Sequence, residues 1–248
     1  MPDSLRALAR SVADRSHVPY SGRPAGVAVL LADGRWTAAP RLENAAFPLT
    51  IPALQGALAL AALAGGQAVA VAATDPLTPA DLAALSGPLG GDWHLEAPDV
   101  AVTGDERLLP AEAVSFGTES AGTEGAREAA SRAVVPASAF PVGAVLEDAD
   151  GRRIWGANVE VATDWTRGLC AERTALVAAR AVGLGPVVTV SVACTRAPGG
   201  TPCGGCRQVL AELAPDADVV IWHGDRAPET ISTAALLPGA FDGRSLGL

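Results

Sequence analysis

Three cysteines and one glutamate in this chain stand at spacings that suit a catalytic metal. Cys170 and Glu172 lie in the run CAERTAL at 170–176, and Cys203 and Cys206 in TPCGGCRQVL at 201–210. Zinc takes thiolate, imidazole or carboxylate ligands in a tetrahedron, and a catalytic site leaves one position to water. Cys170, Cys203 and Cys206 fill the other three. Glu172 as a fourth ligand would close the site, but beside an open position it can handle the protons of the water. The Gly204-Gly205 pair lets the loop after Pro202 wrap tightly, so that both of its sulfurs reach one ion. Both tracts open predicted helices, where free amides and the positive end of the dipole favour thiolate over thiol. Cys170 and Glu172, two residues apart, face one cavity only at a helix end, which places Cys170 at the cap and Glu172 in the first turn. Three thiolates over-neutralise a divalent ion. Arg173 and Arg207, each directly following a key residue, are the candidates to offset that charge.

Other readings of the same residues are weaker. A purely structural zinc needs a fourth protein ligand, and the remaining cysteine, Cys194, falls in a strand pattern as a small buried hydrophobe. Glu172 alone could be a helix N-terminal charge. His17, His94 and His223 show no ligand spacing. The five tryptophans read as packing residues, with Trp165 the one able to reach a pocket.

The elements that must hold this site follow from periodicity. Residues 124–134 read as a helix, VGAVLED at 142–148 and RRIWGANV at 152–159 as strands. A helix beginning at Cys170 follows, then a strand at VVTVSVACT, a helix beginning at Cys203, and a strand at DVVIW. Strands alternating with helices imply an α/β fold, a mixed sheet covered by helices. The apolar stretch 51–73 tempts a transmembrane reading, but Gly65, Gly66 and Gln67 divide it into a buried helix of about 12 residues and a buried strand.

The chain also repeats itself. Pro19 and Pro136, Gly26 and Gly143, and Glu43 and Glu160 are each 117 apart, and Thr78-Pro79 matches Thr201-Pro202 at 123. Anchored on the Leu-Thr-Ile run before Pro52, the alignment sets Pro52 against Cys170 and Leu54 against Glu172, each 118 apart, and Ala80 and Ala83 fall opposite Cys203 and Cys206. Residues 1–117 therefore form a domain that keeps the frame without the ligands, and 118–248 the catalytic domain, joined through the small polar FGTESAGTE stretch. The stripped half serves packing or walls the other half's site.

Composition sets outer bounds. The net charge of −9 is spread over both halves, 7 Arg against 12 acids in 1–117 and 11 against 15 in 118–248, and neither half suits a polyanion. The first 16 residues are charged where a secretory signal would be apolar, so export is not expected, and a cytoplasmic setting suits cysteines that act as ligands.

The pattern CAER, then PCGGCRQ some 30 residues on, resembles the zinc-dependent cytidine deaminase family, whose signature is ligand-x-Glu followed by Pro-Cys-x-x-Cys. FPVGAV at 140–145, NVE at 158–160 and LLPGAF at 236–241 fall in the family's order, and HVPYS, LENAAFPLT and the Thr-Pro of the first half match it more faintly. The resemblance implies two tandem cytidine deaminase-like domains with one zinc per chain. Cys170, Cys203 and Cys206 would hold it, and Glu172 would shuttle protons to N3 and to the departing ammonia as water adds to C4. Phe140 would pack on the pyrimidine, Asn158 and Glu160 would hold the ribose hydroxyls, the Ala171 amide would meet a ring carbonyl, and Thr201 would contact the leaving amine. Arg173 and Arg207 would bond to ligand sulfurs. The substrate implied is a free nucleoside, since no basic pocket for a phosphate is evident, with no nucleic acid or membrane as partner. Single-unit members of the family form tetramers, so a two-unit chain is expected as a homodimer. The alternatives are a deaminase of another aminated nucleoside, such as a nucleoside antibiotic, and a zinc-retaining nucleoside-binding protein without turnover. Two departures stand out: Pro136-Ala137-Ser138 where the family has Pro-Tyr-Ser, and one extra residue before Cys170 in the segment with Trp165.

Overall fold

A computed structural model describes residues 2–104 and 108–246 of the 248. The chain divides into two compact units. They do not follow a single cut between 117 and 118. Unit 1 comprises Met1–Leu42, Ile51–Ser115 and Val161–Gly168, and unit 2 comprises Glu43–Thr50, Phe116–Glu160 and Leu169–Leu248. Each repeat thus lends the other unit an eight-residue loop, from Glu43 in the first and from Val161 in the second.

In unit 1, helix α1 (Pro2–Ala13) precedes strands β1 (Gly26–Leu31) and β2 (Arg35–Pro40), helix α2 (Ala53–Ala64), strand β3 (Ala68–Ala73), helix α3 (Pro79–Leu89), and short strands β4 (His94–Ala97), β5 (Val100–Val102) and β6 (Glu112–Ala113). The sheet order is β4-β5-β3-β1-β2-β6. Every residue of β1, GVAVLL, is buried. A strand covered on both faces loses the usual polar alternation and reads as a continuous apolar run. Helix α2 and β3 account for the apolar stretch 51–73, and among the described residues no helix is long and apolar enough to cross a membrane.

Unit 2 repeats the plan with helix α4 (Gly122–Ala130), strands β7 (Val142–Asp148) and β8 (Arg153–Ala157), helix α5 (Ala171–Val182), strand β9 (Val187–Cys194), helix α6 (Gly204–Leu213), a hairpin of β10 (Asp218–His223) and β11 (Arg226–Ser232), and the short helix α7 (Thr233–Leu236). Its sheet runs β11-β10-β9-β7-β8. Here β10 lies parallel to β9, whereas in unit 1 the strand beside β3 is the antiparallel β5.

Helices cover opposite faces of this sheet because glycine admits them. A Cβ on Gly143 would fall 2.0 Å from Ala126 O and 2.3 Å from Ala130 N, so α4 lies directly on the β7 backbone. Gly26 meets Ala9 O and Ala13 N of α1 in the same way, at 2.1 and 2.8 Å. That close approach is the physical content of the Gly26/Gly143 repeat. Gly156, paired with Ala144 and therefore on the other face from Gly143, brings in α5: a Cβ there would sit 2.3 Å from Ala175 N.

The loop after the second strand is clipped at its base in both repeats. Leu42 and Ile51 exchange backbone hydrogen bonds of 3.0 and 2.7 Å, and Val159 and Leu169 exchange two of 2.9 Å. Each loop carries a short 3-10 turn, Phe47–Leu49 and Trp165–Arg167. Within unit 2, Ala45 N donates to Glu212 Oε2 at 2.8 Å. Within unit 1, Gln55 Nε2 donates to Arg167 O at 3.0 Å.

Candidate metal centre

Cys170 and Cys203 are the N-caps of α5 and α6, and Glu172 occupies the first turn of α5. Helix α5 starts where it does because Cys170 is extended and its carbonyl accepts from Arg173 N and Thr174 N, at 3.1 and 3.0 Å. The Thr174 hydroxyl, wholly buried, donates to Ala157 O on β8 at 2.8 Å and fixes the first turn to the sheet. The three sulfurs of Cys170, Cys203 and Cys206 lie within 4.8 Å of one another. Cys170 Sγ and Cys203 Sγ are 3.9 Å apart. Ligands about 2.3 Å from a tetrahedral zinc are separated by about 3.8 Å, so the donor set and its spacing fit that ion. No histidine or further carboxylate joins the group among the described residues. The helix-end placement also explains how two residues only two apart in sequence can face one point.

Glu172 is 3 % exposed, and the Cys206 thiol donates to its Oε2 at 3.3 Å. Burial pushes its carboxyl above the usual carboxylate range. Among the thiols, Cys203 is held well below the ordinary range by hydrogen bonds from Cys170 and Cys206, while those same bonds and burial push Cys206 up. Arg173 Nη2 donates to Cys170 Sγ at 3.6 Å, and although burial opposes its charge, that bond and the surrounding thiols keep the guanidinium protonated.

Arg207 differs from expectation. It donates to Pro202 O at 2.8 Å, Leu236 O at 3.2 Å and Thr201 Oγ1 at 2.7 Å, not to a sulfur. One turn into α6, its side chain folds back along the helix start and ties the 201–202 loop to α7. It positions the two-cysteine loop through that loop's backbone.

The other expected contacts are arranged around the loop 137–142. Asn158 accepts from Val142 N at 2.7 Å and donates to Phe140 O at 3.0 Å. Glu160 accepts from Ala137 N and Ser138 N, each at 3.0 Å, and from the Ser138 hydroxyl. Burial alone would raise the Glu160 carboxyl; these donors more than offset it and hold it low. Both side chains therefore brace the segment carrying Phe140, which is 38 % exposed, and in which Ala139 alone among the described non-glycine residues has positive φ, at 51°. Ala171 is fully buried at the start of α5.

Cys194 is not part of the three-sulfur group. Its thiol, 6 % exposed, donates to Gly200 O at 3.7 Å, and burial pushes it up to about 11. Trp165 is exposed, as is Phe47 at the matching repeat position, while Trp155 is buried against Phe116. One contact escaped sequence reasoning. A Cβ on Gly205 would meet Leu49 Cδ2 at 3.2 Å and Cys203 Sγ at 4.0 Å, so Leu49 of the 43–50 loop abuts the two-cysteine turn. Nothing in an isolated Leu-Thr-Ile run announces this; only the exchange of loops between the units does.

Two family models, both described as the cytidine and deoxycytidylate deaminase zinc-binding region, match residues 2–74 and 118–222. A cytidine deaminase of Halalkalibacterium halodurans is 45 % identical over 111 residues, which is 44 % of this chain and 83 % of the relative. One from Sporosarcina psychrophila is 36 % identical over 121 residues, 48 % of this chain and 88 % of the relative. Among solved structures, the Burkholderia pseudomallei cytidine deaminase shares 41 % identity over 50 % of this chain and 99 % of its own, with a TM-score of 0.46. That of Mycobacterium leprae shares 35 % over 47 % and 93 %, with a TM-score of 0.41. With family matches over both repeats and the cysteine trio present only in the second, the chain belongs to the cytidine and deoxycytidylate deaminase family, in a tandem form.

Proposed function

We propose that this protein is a zinc-dependent nucleoside deaminase that converts cytidine or deoxycytidine to the uridine product and ammonia. One observation carries the reading: a buried carboxyl, raised by its surroundings, lies against a three-sulfur cluster that offers zinc three ligands and no fourth. Zinc held by Cys170, Cys203 and Cys206 would supply Lewis-acid activation of a water. Glu172 would take one proton from the water and deliver it to N3 as the oxygen adds to C4, then take the proton of the new C4 hydroxyl and pass it to the amine, so that the C4–N bond breaks, ammonia leaves and the C4 carbonyl forms. A carboxyl raised above its ordinary range by burial holds a proton more readily than an exposed one, which suits accepting and returning it. Arg173 draws negative charge from Cys170 and so keeps the site electrophilic.

Phe140 is assigned to the face of the pyrimidine, the Ala171 amide to the ring carbonyl, and Thr201 to the side of the departing amine. Asn158 and Glu160 are assigned to the ribose, whose hydroxyls would compete with Ser138 for the Glu160 carboxylate. Arg207 is fully engaged with carbonyl and hydroxyl oxygens and Arg173 faces a sulfur, which favours a free nucleoside over a phosphorylated one. The catalytic unit is built on 118–248 and the repeat at 1–117 is without metal. Four free cysteines suit a reducing cytoplasm and a role in pyrimidine salvage. Phe47 and Trp165, 82 % and 65 % exposed at equivalent positions, support a homodimer that covers them.

The test is purified protein assayed for zinc and for loss of the cytidine absorbance band. One zinc per chain with turnover is expected, and Glu172→Gln should keep the zinc while slowing turnover by at least about 10⁴-fold, since two proton transfers of about 10²–10⁴ each are removed. A zinc-loaded protein inert on cytidine, deoxycytidine and other aminated nucleosides would defeat the enzyme reading. A mass of one chain in solution would defeat the dimer.

A further inference from the structure

Unit 1 contains a cavity of about 180 Å³ next to the positions that match the unit 2 site, although Pro52, Ala80 and Ala83, which stand against the three cysteines, do not line it. Its lining includes Ala53 and Leu54 of α2, the counterparts of Ala171 and Glu172, and Arg41, the counterpart of Asn158. Its lining mixes apolar residues, among them Ala25, Val27, Ala53, Leu54 and Leu77, with the polar Arg41, Thr74, Asp75 and Asp81.

Those polar groups differ in what they have left to give. Asp81 is occupied in capping α3, where its Oδ2 accepts from Thr78 N and the Thr78 hydroxyl at 2.8 and 2.7 Å. Thr74 Oγ1 accepts from Gly26 N at 3.0 Å. Arg41 Nη1 donates to Arg23 O at 3.0 Å, and its Nη2 stands 3.6 Å from Asp75 Oδ2, too far for a close hydrogen bond. A guanidinium and a carboxylate so placed offer donors and an acceptor side by side. Their counterpart on a ligand is an adjacent carbonyl and N–H, the edge of a cyclic amide. With two carboxylates against one guanidinium the rim repels anions, so a phosphorylated ligand is disfavoured. An apolar cavity of about 150 Å³ accommodates one benzene ring, so this one takes a single ring and not a fused pair.

We infer that unit 1 binds a neutral pyrimidine ring, without metal, its carbonyl toward Arg41 and its N–H toward Asp75. The site is separate from the zinc centre and needs neither the cysteines nor Glu172. A sugar on the ring would have to extend past the rim, so the free base and the nucleoside are both probed.

The test is calorimetric titration of the zinc-loaded full chain with uracil and with uridine at up to millimolar concentration. Three variants are compared: Cys203→Ser, which dismantles the metal cluster; Leu54→Phe, which fills the cavity; and Arg41→Gln, which removes the rim cation. Uracil binding should persist in Cys203→Ser, vanish in Leu54→Phe and weaken about tenfold in Arg41→Gln, while the last two keep cytidine turnover within about twofold of the parent. If Leu54→Phe does not fold, Arg41→Gln carries the test alone. Uracil binding that is lost with Cys203→Ser, that ignores both unit 1 variants, or that is absent from the folded parent overturns the inference. Uridine binding equal to that of uracil assigns the ring as the recognised part, and binding of neither ligand to a protein that still turns over cytidine defeats this site while leaving the enzyme reading intact.

Discussion

Gly156→Ala tests whether the metal centre depends on how closely α5 approaches the sheet. The added Cβ would lie 2.3 Å from Ala175 N, 2.7 Å from Ala175 Cα and 2.8 Å from Ala171 O, all backbone atoms that no rotamer change can move away. Ordinary contact begins near 3.4 Å, so α5 must retreat by about 1 Å. Removing backbone freedom from the unfolded chain stabilises a Gly→Ala variant by about 0.4–1 kcal/mol. Overpacking costs about 1–3 kcal/mol, so strain wins and a net loss of about 1–2 kcal/mol is expected. The larger effect is on chemistry. Cys170 and Glu172 ride on α5 while Cys203 and Cys206 ride on α6, and a displacement of about 1 Å between reacting groups costs about 10²-fold in rate. Urea unfolding, zinc content and cytidine turnover of the purified variant measure the three consequences separately. Parent-like turnover in a folded Gly156→Ala protein would refute the reasoning, as would a loss of stability with the rate unchanged.

Three further outcomes are expected. Arg173→Gln removes the donor to Cys170 Sγ, and should lower zinc affinity or turnover by about 10–100-fold; competition with a chromophoric chelator reads the affinity. Cys194→Ala should keep one zinc per chain and near-parental turnover, because its thiol faces Gly200 O and not the cluster; metal analysis that finds less zinc would make Cys194 a ligand. Asp148, whose side chain is 1 % exposed, accepts from the amides of Asp150 and Arg152 at 3.1 and 2.9 Å and of Gly185 at 3.1 Å. Burial opposes its charge, but these donors prevail and hold its carboxyl below the ordinary range. Its contribution is therefore complete above the unfolded value of about 3.9 and is lost as pH falls through the lower folded value. Asp148→Asn should be less stable than the parent at pH 7, and the gap should narrow below pH of about 4 when urea midpoints are compared.

Much of the site was legible because its signals are local. A cysteine before a helical run is an N-cap wherever the helix ends up, and Cys170 and Cys203 both take that position. The strand pattern at VGAVLED became β7 with the expected bounds, and that at VVTVSVACT became β9, which ends one residue earlier at Cys194. What was not legible depends on partners distant in sequence. Arg207 follows a ligand just as Arg173 follows Glu172, yet its bonds are set by where α7 lies, and Leu236 O is 29 residues away. Strand β10 was read at DVVIW, but its hairpin partner β11, RAPETIS, gave no pattern because it is almost wholly exposed. The exchange of loops 43–50 and 161–168 leaves no local trace at all.

The two repeats show which features belong to the frame and which to the chemistry. Gly26 and Gly143 both admit a helix onto the first strand, and each repeat clips its exchanged loop with a pair of backbone hydrogen bonds, so these serve folding in either unit. Gly156 has no such counterpart. Strand register sets it beside Ala144 and sets Ala39 beside Val27, so Ala39 is its equivalent, wholly buried with its methyl in place. A methyl is accommodated under α2, whose first turn carries Leu54, and excluded under α5, whose first turn carries Glu172. The closer approach was therefore kept, or acquired, only where a helix must deliver a ligand and a carboxyl to one point. The first repeat, with Pro52, Leu54, Ala80 and Ala83 at the matching positions, has no such pair to align, and a cavity lined by Arg41, Ala53 and Leu54 lies beside them.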